Sequence, residues 1–385
     1  MRESRPRCLV VSYRYPFPPL KGDQLRLANF LRQAQRFFGG ITVAYLEGPK
    51  TPSEAEGIRF VPLPGPSAPE VLRGWLGAPQ RPLQTLLATS PEAMRWIAKA
   101  SREHEVILAI TLRVAPLLQG TESRGALDLI DALSLNMQER AFASSLFLRP
   151  LLRLEGRLLY HYERKLLTLF AKAFVVSKRD WAHLGRHPKL KVIPNGVDLH
   201  HLNYAWRPAP PETVLFLGRM DYPPNVDAAL FFAREVFPRI RNRKPSARFS
   251  IVGANPHPKV RALAREKGIE VTGFVPDIRP HLARAAVFVA PLRWASGMQN
   301  KVLEAMAVGV PVVTTSKVLA GFEGMESGKH LIVADTPEEL AEAVLSLFND
   351  PQGALRLSRE ARALVETHYN WDRIGVQLAK ELRGF

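Results

Sequence analysis

Cysteine is almost missing from this chain. Cys8 is the single one in 385 residues, which excludes an internal disulfide and a cysteine-built zinc site. A reducing cytoplasm is then the natural compartment. No run approaches the roughly 18 consecutive apolar residues of a membrane-spanning helix. The apolar run after "MRESRPR" is too short for a signal-peptide core and reads as a first β-strand. The histidines are scattered without metal-ligand spacing, and an acidic DxD motif is absent, so no metal site is expected. Low-complexity tracts are lacking too, which argues against disorder. Acidic residues are outnumbered, 36 Asp and Glu against 53 Lys and Arg, for a net charge of +17. Such a balance calls for anionic partners: nucleic acid, acidic lipid or phosphorylated substrates. The basic residues are spread widely, with no aromatic-interleaved stripe, zinc-finger spacing, RNP-like strand or basic zipper. Nucleic acid is therefore not the expected partner.

What is there is a rhythm. In the second half, apolar runs at 213–218, 248–253, 269–273, 287–292, 311–315 and 331–334 alternate with helical patterns such as "NVDAALFFAREVFPRI". Continuous apolar strands between helices predict a parallel sheet covered on both faces, a doubly wound α/β domain. The first half repeats this less cleanly, with strands at 8–13, 42–46, 58–63, 105–111, 127–132, 173–177 and 191–195. A Pro-rich stretch at 62–82 reads as a surface loop. The fold class is α/β: two Rossmann-like doubly wound domains facing across a cleft. Residues 1–199 form the N-terminal domain, 200–212 a Pro-dense linker and 213–368 the C-terminal domain. The amphipathic tail 369–385 follows a complete domain, so it is expected to pack back on the N-terminal one.

Chemistry concentrates at strand ends of the second half. Gly218 and Arg219 follow the first strand, Gly253 the second, Gly273 with Phe274 and Val275 the third, and the loop Ser296–Gly297–Met298 the fourth. Glycine there lets a ligand approach the backbone, and loop amides running into a helix favour phosphate. Arg219 could equally be a surface ion-pair partner. Lys301 and Glu304, three apart on one helix face, could be a solvated pair worth about 0.3 kcal/mol. Their neighbours Val302, Leu303, Ala305, Met306 and Val308 leave little room for a water-facing side, so the rim of a cleft suits them better. Asp131 is a helix cap or a cleft residue, and Gly22 serves a turn or a binding loop. Residues 146–172 mix Leu and Phe with Arg and Lys. They form either a helix packed inward or an interfacial one lying on an anionic membrane surface.

The stretches "VIPNGVD" (192–198), "LGRM" (217–220), "SIVGANP" (250–256), "VTGFVPDI" (271–278) and "NKVLEAMAVGVPVVTT" (300–315) resemble the retaining GT-B glycosyltransferases of family 4. "DYPPNVDA" with "GMQNKVLEAMA" is most similar to the sugar transferases of bacterial exopolysaccharide and exosortase (PEP-CTERM) systems. The strong resemblance covers roughly residues 190–375. It implies an enzyme without a cofactor, which moves a sugar from a nucleotide-diphosphate donor to a polysaccharide-precursor or lipid-linked acceptor. Arg219 would contact the diphosphate, Glu304 the ribose, the 296–298 loop the phosphates, and Gly22 with Asp23 the phosphates or acceptor. Two departures stand out. The family's Lys shortly after Gly-Arg is Pro224 here, and the first of its two paired Glu residues is Ser296. Lys301 is expected to replace the missing cation. The alternatives are an epimerase or phosphorylase on the same fold, or an inactive, membrane-associated relative. The enzyme is expected in the cytoplasm, or peripheral on the inner face of the cell membrane.

Overall fold

The computed structural model describes residues 5–78, 80–144, 146–207, 212–294 and 297–384. The chain divides into two compact units, Met1–Asn195 with Trp371–Phe385, and Gly196–Asn370.

The first unit is built on an eight-stranded sheet of order β3-β4-β2-β1-β5-β6-β7-β8. Its strands are β1 Arg7–Arg14, β2 Gly40–Glu47, β3 Ser53–Ala55, β4 Ile58–Pro62, β5 Val106–Ile110, β6 Gly125–Ile130, β7 Lys172–Val175 and β8 Leu190–Val192. Every pairing is parallel except that of β3 with β4. All of β5 and β6 is buried, as expected for strands covered by helices on both faces. Strand order reverses between β1, which pairs with β2 on one side, and β5 on the other.

The Pro-rich stretch is not a plain loop: the helix Ala68–Gly77 lies within it. Ser67 and Glu70 form a capping box there, and Pro69 occupies the first turn, where its missing N–H costs nothing. The Leu- and Arg-rich segment folds as the helix Arg149–Leu169, burying Leu159, Leu166 and Leu167 while Leu151 and Leu154 stay exposed. The closing helix Trp371–Arg383 packs on the helix Gly22–Ala34.

The second unit has six parallel strands in the order β11-β10-β9-β12-β13-β14. They are β9 Thr213–Leu217, β10 Arg248–Val252, β11 Ile269–Gly273, β12 Val287–Ala290, β13 Val312–Thr314 and β14 Ile332–Val333. Counted from β9 this is the Rossmann order 3-2-1-4-5-6, with its reversal between β9 and β12. The long helix expected after β9 is interrupted. Pro223–Phe231 widens into a π-turn at Phe232–Val236 before Phe237–Arg243. Pro238 accounts for it, because proline lacks an N–H and its ring crowds the carbonyl four residues back.

The segment read as linker is only partly free. Trp206 is 3% exposed, and its indole N–H donates to the Ala285 carbonyl at 2.9 Å. Tyr204 bonds Ser358. Residues 208–211 lie outside the described residues. Among the described residues, no helix is long and apolar enough to cross a membrane.

Candidate functional site

The candidate site lies at the carboxyl end of β9, beside the reversal of strand order, where ligands of open α/β sheets bind. Gly218 leaves the strand at φ +157°, its N–H donating to the Val252 carbonyl. Gly253, at φ +152°, packs directly on it: a Cβ there would lie 1.8 Å from the Gly218 carbonyl oxygen. Only glycine fits, so the two strand-end loops sit backbone to backbone. They are further knitted by Met220 N–H to Ala254 and Gly253 N–H to Gly273.

Asn225 anchors the next layer. It lies in the first turn of the helix Pro223–Phe231 and is buried. Its Nδ2 donates to the Arg219 carbonyl at 2.9 Å, and its Oδ1 accepts from Lys301 Nζ at 2.5 Å. Lys301 reaches this place from the start of the helix Asn300–Val308. Its ammonium stands 4.8 Å from the centroid of the Phe216 ring, a cation–π contact. A Cβ on Gly218 would meet Nζ at 3.0 Å. Burial pulls the Lys301 pKa down to about 7, and the nearby Glu304 carboxylate opposes the shift only in part. Glu304 itself is pushed up by burial, with Lys301 working against it. The two make no ion pair. Among the described residues, the Glu304 carboxylate has no hydrogen-bond partner.

The other expected residues are distributed as follows. Arg219 is half exposed, and its guanidinium is engaged by Asp221 through Nε (3.1 Å) and Nη2 (2.6 Å). It forms a surface ion pair on the rim of the site. Phe274 is exposed beyond β11 and Val275 half-buried. Gly297 takes φ +59° and Met298 is buried; Ser296 lies outside the described residues. Gly22 and Asp23 start the helix Gly22–Ala34. Nothing stands where a Gly22 side chain would go, so no close contact requires glycine there. Asp23 accepts from Arg14 Nη1 at 2.7 Å.

Asp131 is not a helix cap. The cap position is Ala132, and the Asp131 carboxylate accepts from Asn136 Nδ2 at 2.8 Å. Burial, with Asp180 beside it, raises its pKa to about 6. Nearby, Glu163 accepts from Ser134 Oγ at 2.5 Å, and that hydroxyl also meets His183 Nε2 at 2.8 Å.

Two groups of residues escape a reading of the sequence. Asn225 sits next to the position where a lysine is expected, and its role depends on a side chain 76 residues away. Arg26, 1% exposed, pairs with Asp128 at 2.6 Å and donates to the carbonyls of Ile193 and Pro194 and to Asn195 Oδ1. It ties the helix Gly22–Ala34 to β6 and to the "IPN" turn after β8. No local pattern marks an arginine as that kind of internal strut.

Against known proteins, residues 211–350 match the sequence model of the family described as Glycosyl transferases group 1. That match falls within the unit holding the candidate site. A GDP-mannose-dependent alpha-(1-6)-phosphatidylinositol monomannoside mannosyltransferase of Mycobacterium tuberculosis is 30% identical over 225 residues, 52% of this chain and 57% of that protein. A glycogen synthase of the same organism is 26% identical over 207 residues, 50% of this chain and 48% of that protein. The chain spans about half the length of the curated relatives it matches. Among solved structures, a sucrose-phosphate synthase from Thermosynechococcus elongatus superposes with a TM-score of 0.75 at 17% identity, over 98% of both chains. Anabaena HepE in complex with UDP and glucose gives 0.68 at 16%, over 98% of this chain and 99% of that one. The fold is that of the GT-B glycosyltransferases.

Proposed function

We propose that the chain is a glycosyltransferase that binds a nucleoside-diphosphate sugar at the carboxyl end of β9 and transfers the sugar to a glycan or lipid-linked acceptor. One observation carries this reading. Lys301, a desolvated cation held by Asn225, stands against the bare backbone of Gly218, with the unpartnered Glu304 carboxylate one helical turn away. A diphosphate satisfies the first, and the paired hydroxyls of a ribose satisfy the second. The helix Asn300–Val308 points its amino end at the same place, adding its dipole.

The chemistry follows from charge. As the bond to the sugar breaks, the departing diphosphate becomes more negative. A lysine and oriented amides already in place stabilise that charge without reorganising. Arg219 can join once it is released from Asp221. With retention, the leaving phosphate takes the acceptor's proton on the same face of the sugar, so no pair of glycosidase-like carboxylates is needed. One similar protein is named as GDP-mannose-dependent and a structural neighbour is bound to UDP and glucose, which makes GDP and UDP the two nucleotides to test. A role in exopolysaccharide assembly rests on the likeness of "DYPPNVDA" and "GMQNKVLEAMA" alone.

The test is thermal stabilisation by UDP and GDP, followed by product detection with their sugars, with and without acceptor. At 100 times its Kd a ligand adds about 2.7 kcal/mol of stability. Glu304→Gln should weaken the favoured nucleotide at least tenfold while leaving the unliganded protein folded with little change in stability, because the half-buried carboxylate makes no hydrogen bond that the amide would lose. If neither nucleotide stabilises the protein, the reading fails. Conversion of sugar nucleotide without an acceptor would replace it with an epimerase.

A further inference from the structure

The N-terminal unit has its own reversal of strand order, between β1 and β5, and a cavity of about 750 Å³ opens beside it. That volume suits a small-molecule site. Its lining is divided by chemistry. Tyr13 and Arg14, at the end of β1, and Arg113, just after β5, are half-buried. Both guanidinium groups lie over the Tyr13 ring, at 5.2 and 5.6 Å. The remaining wall is mostly apolar, with leucines from the helices Leu83–Leu86 and Arg149–Leu169 and from Leu87 just beyond the first. Leu83, Leu87, Leu151 and Leu154 are each about half exposed or more.

The charge is one-sided. Four arginines line the cavity (Arg14, Arg81, Arg113 and Arg140) against a single carboxylate, Glu155. Arg14 is neutralised by Asp23 and Glu47. Arg113 has only an amide: its Nε and Nη2 both donate to Gln84 Oε1, at 3.0 and 2.8 Å. Among the described residues, Arg81, Arg113 and Arg140 have no carboxylate at salt-bridge distance. Burial and the neighbouring Arg14 both disfavour the Arg113 charge, a cost that a bound anion would remove. The half-buried Arg14 and Arg113, the exposed Arg81 and Arg140 and an apolar wall that continues to exposed leucines are the complement of an amphiphile, not of a free sugar or a bare anion.

We propose that this cavity binds an amphiphile with a hydrocarbon chain and a phosphate-type head, the head at Arg113 and the chain along Leu87, Leu151 and Leu154. The site depends on the glycosyltransferase reading only for its use, as the place of a lipid-linked acceptor; the binding itself involves no donor. The probe is dodecyl phosphate, kept below its micelle-forming concentration and titrated into the full-length protein by calorimetry. Inorganic phosphate and dodecyl maltoside serve as head and chain alone.

Dodecyl phosphate should bind at least tenfold more tightly than either control. Leu154→Asp and Arg113→Gln should each weaken it at least tenfold. Leu154 is largely exposed, so its substitution leaves the fold in place; unchanged melting of each variant verifies this. Binding of dodecyl phosphate no tighter than inorganic phosphate, or binding indifferent to Leu154→Asp in a folded variant, overturns the proposal. Because these titrations contain no sugar nucleotide, their failure leaves the donor reading standing. Absence of nucleotide binding in turn leaves this site standing.

Discussion

Lys301, proposed above to meet the donor diphosphate, would report on that role through pH. A lysine ordinarily titrates near 10.5, but burial beside Phe216 and Asn225 brings this one to about 7. At pH 8 it is therefore largely neutral in the free protein. A diphosphate placed against it restores the advantage of the charged form and raises the pKa again. Binding at pH 8 should then take up a fraction approaching one proton, and affinity should fall as pH rises above about 7 until the bound-state pKa is passed. Calorimetry with the favoured nucleotide, in two buffers of different ionisation enthalpy, measures the uptake. Lys301→Met should abolish it and weaken binding at least tenfold at pH 7. Uptake that persists in Lys301→Met would assign the proton, and the phosphate contact, to another group.

At the scale of elements, the closing helix Trp371–Arg383 is the clearest case of a segment whose form is local and whose place is not. Trp371, Ile374, Leu378 and Leu382 lie on one face and are buried. Gly375 lets the helix close on Gln33, since a Cβ there would stand 2.7 Å from the Gln33 side chain. Gln33 Nε2 also donates to Asp372 at 2.7 Å. Leu378→Ala should cost about 2–4 kcal/mol in urea unfolding of the unit containing Met1–Asn195, and a loss below ~1 kcal/mol would mean the helix is a loose appendage. The amphipathic period of this helix is plain in the sequence, but its partner is not, because a stripe of apolar residues states only that something must cover it. The same division runs through the molecule. Parallel strands are legible because burial on both faces leaves them apolar throughout, and the glycines at the ends of β9, β10 and β11 stand out against them. The helix at Ala68–Gly77 is also legible in "SAPE", a cap with its answering Glu, although the surrounding prolines point to a loop. Asn225, Arg113 and Arg26 are not, for each acts on residues that only the sheet brings near.

At the scale of the whole chain, the two units carry buried ionisable groups of opposite sign, and their stabilities should answer pH in opposite directions. In the first unit, burial raises Glu163 to about 7 and Asp131 to about 6, and it also raises Asp180. The folded unit then holds more protons than the unfolded chain between about pH 4 and 7. The stability these groups lend is fully present below their ordinary pKa and is lost as pH rises through the raised values. For Glu163 alone, moved from 4.5 to about 7, the difference is on the order of 3 kcal/mol. In the second unit Lys301 is depressed, so between about pH 7 and 10.5 the unfolded chain holds the extra proton and stability rises with pH. Glu304, raised by burial with Lys301 opposing, works the other way as pH rises above the ordinary carboxylate value. Exposed carboxylates such as Asp277, lowered by the Arg279 guanidinium and backbone, act below pH 4 and are screened by solvent. Hydrogen exchange followed by peptide, corrected for the intrinsic rate, separates the two units. Protection of β6 and β7 should fall from pH 5 to 7, and that of the helix Asn300–Val308 should rise from pH 7 to 9. Glu163→Gln should flatten the first slope and leave the second alone. Lys301→Met should do the reverse, and a single slope shared by both units would show that these buried groups do not set the pH response.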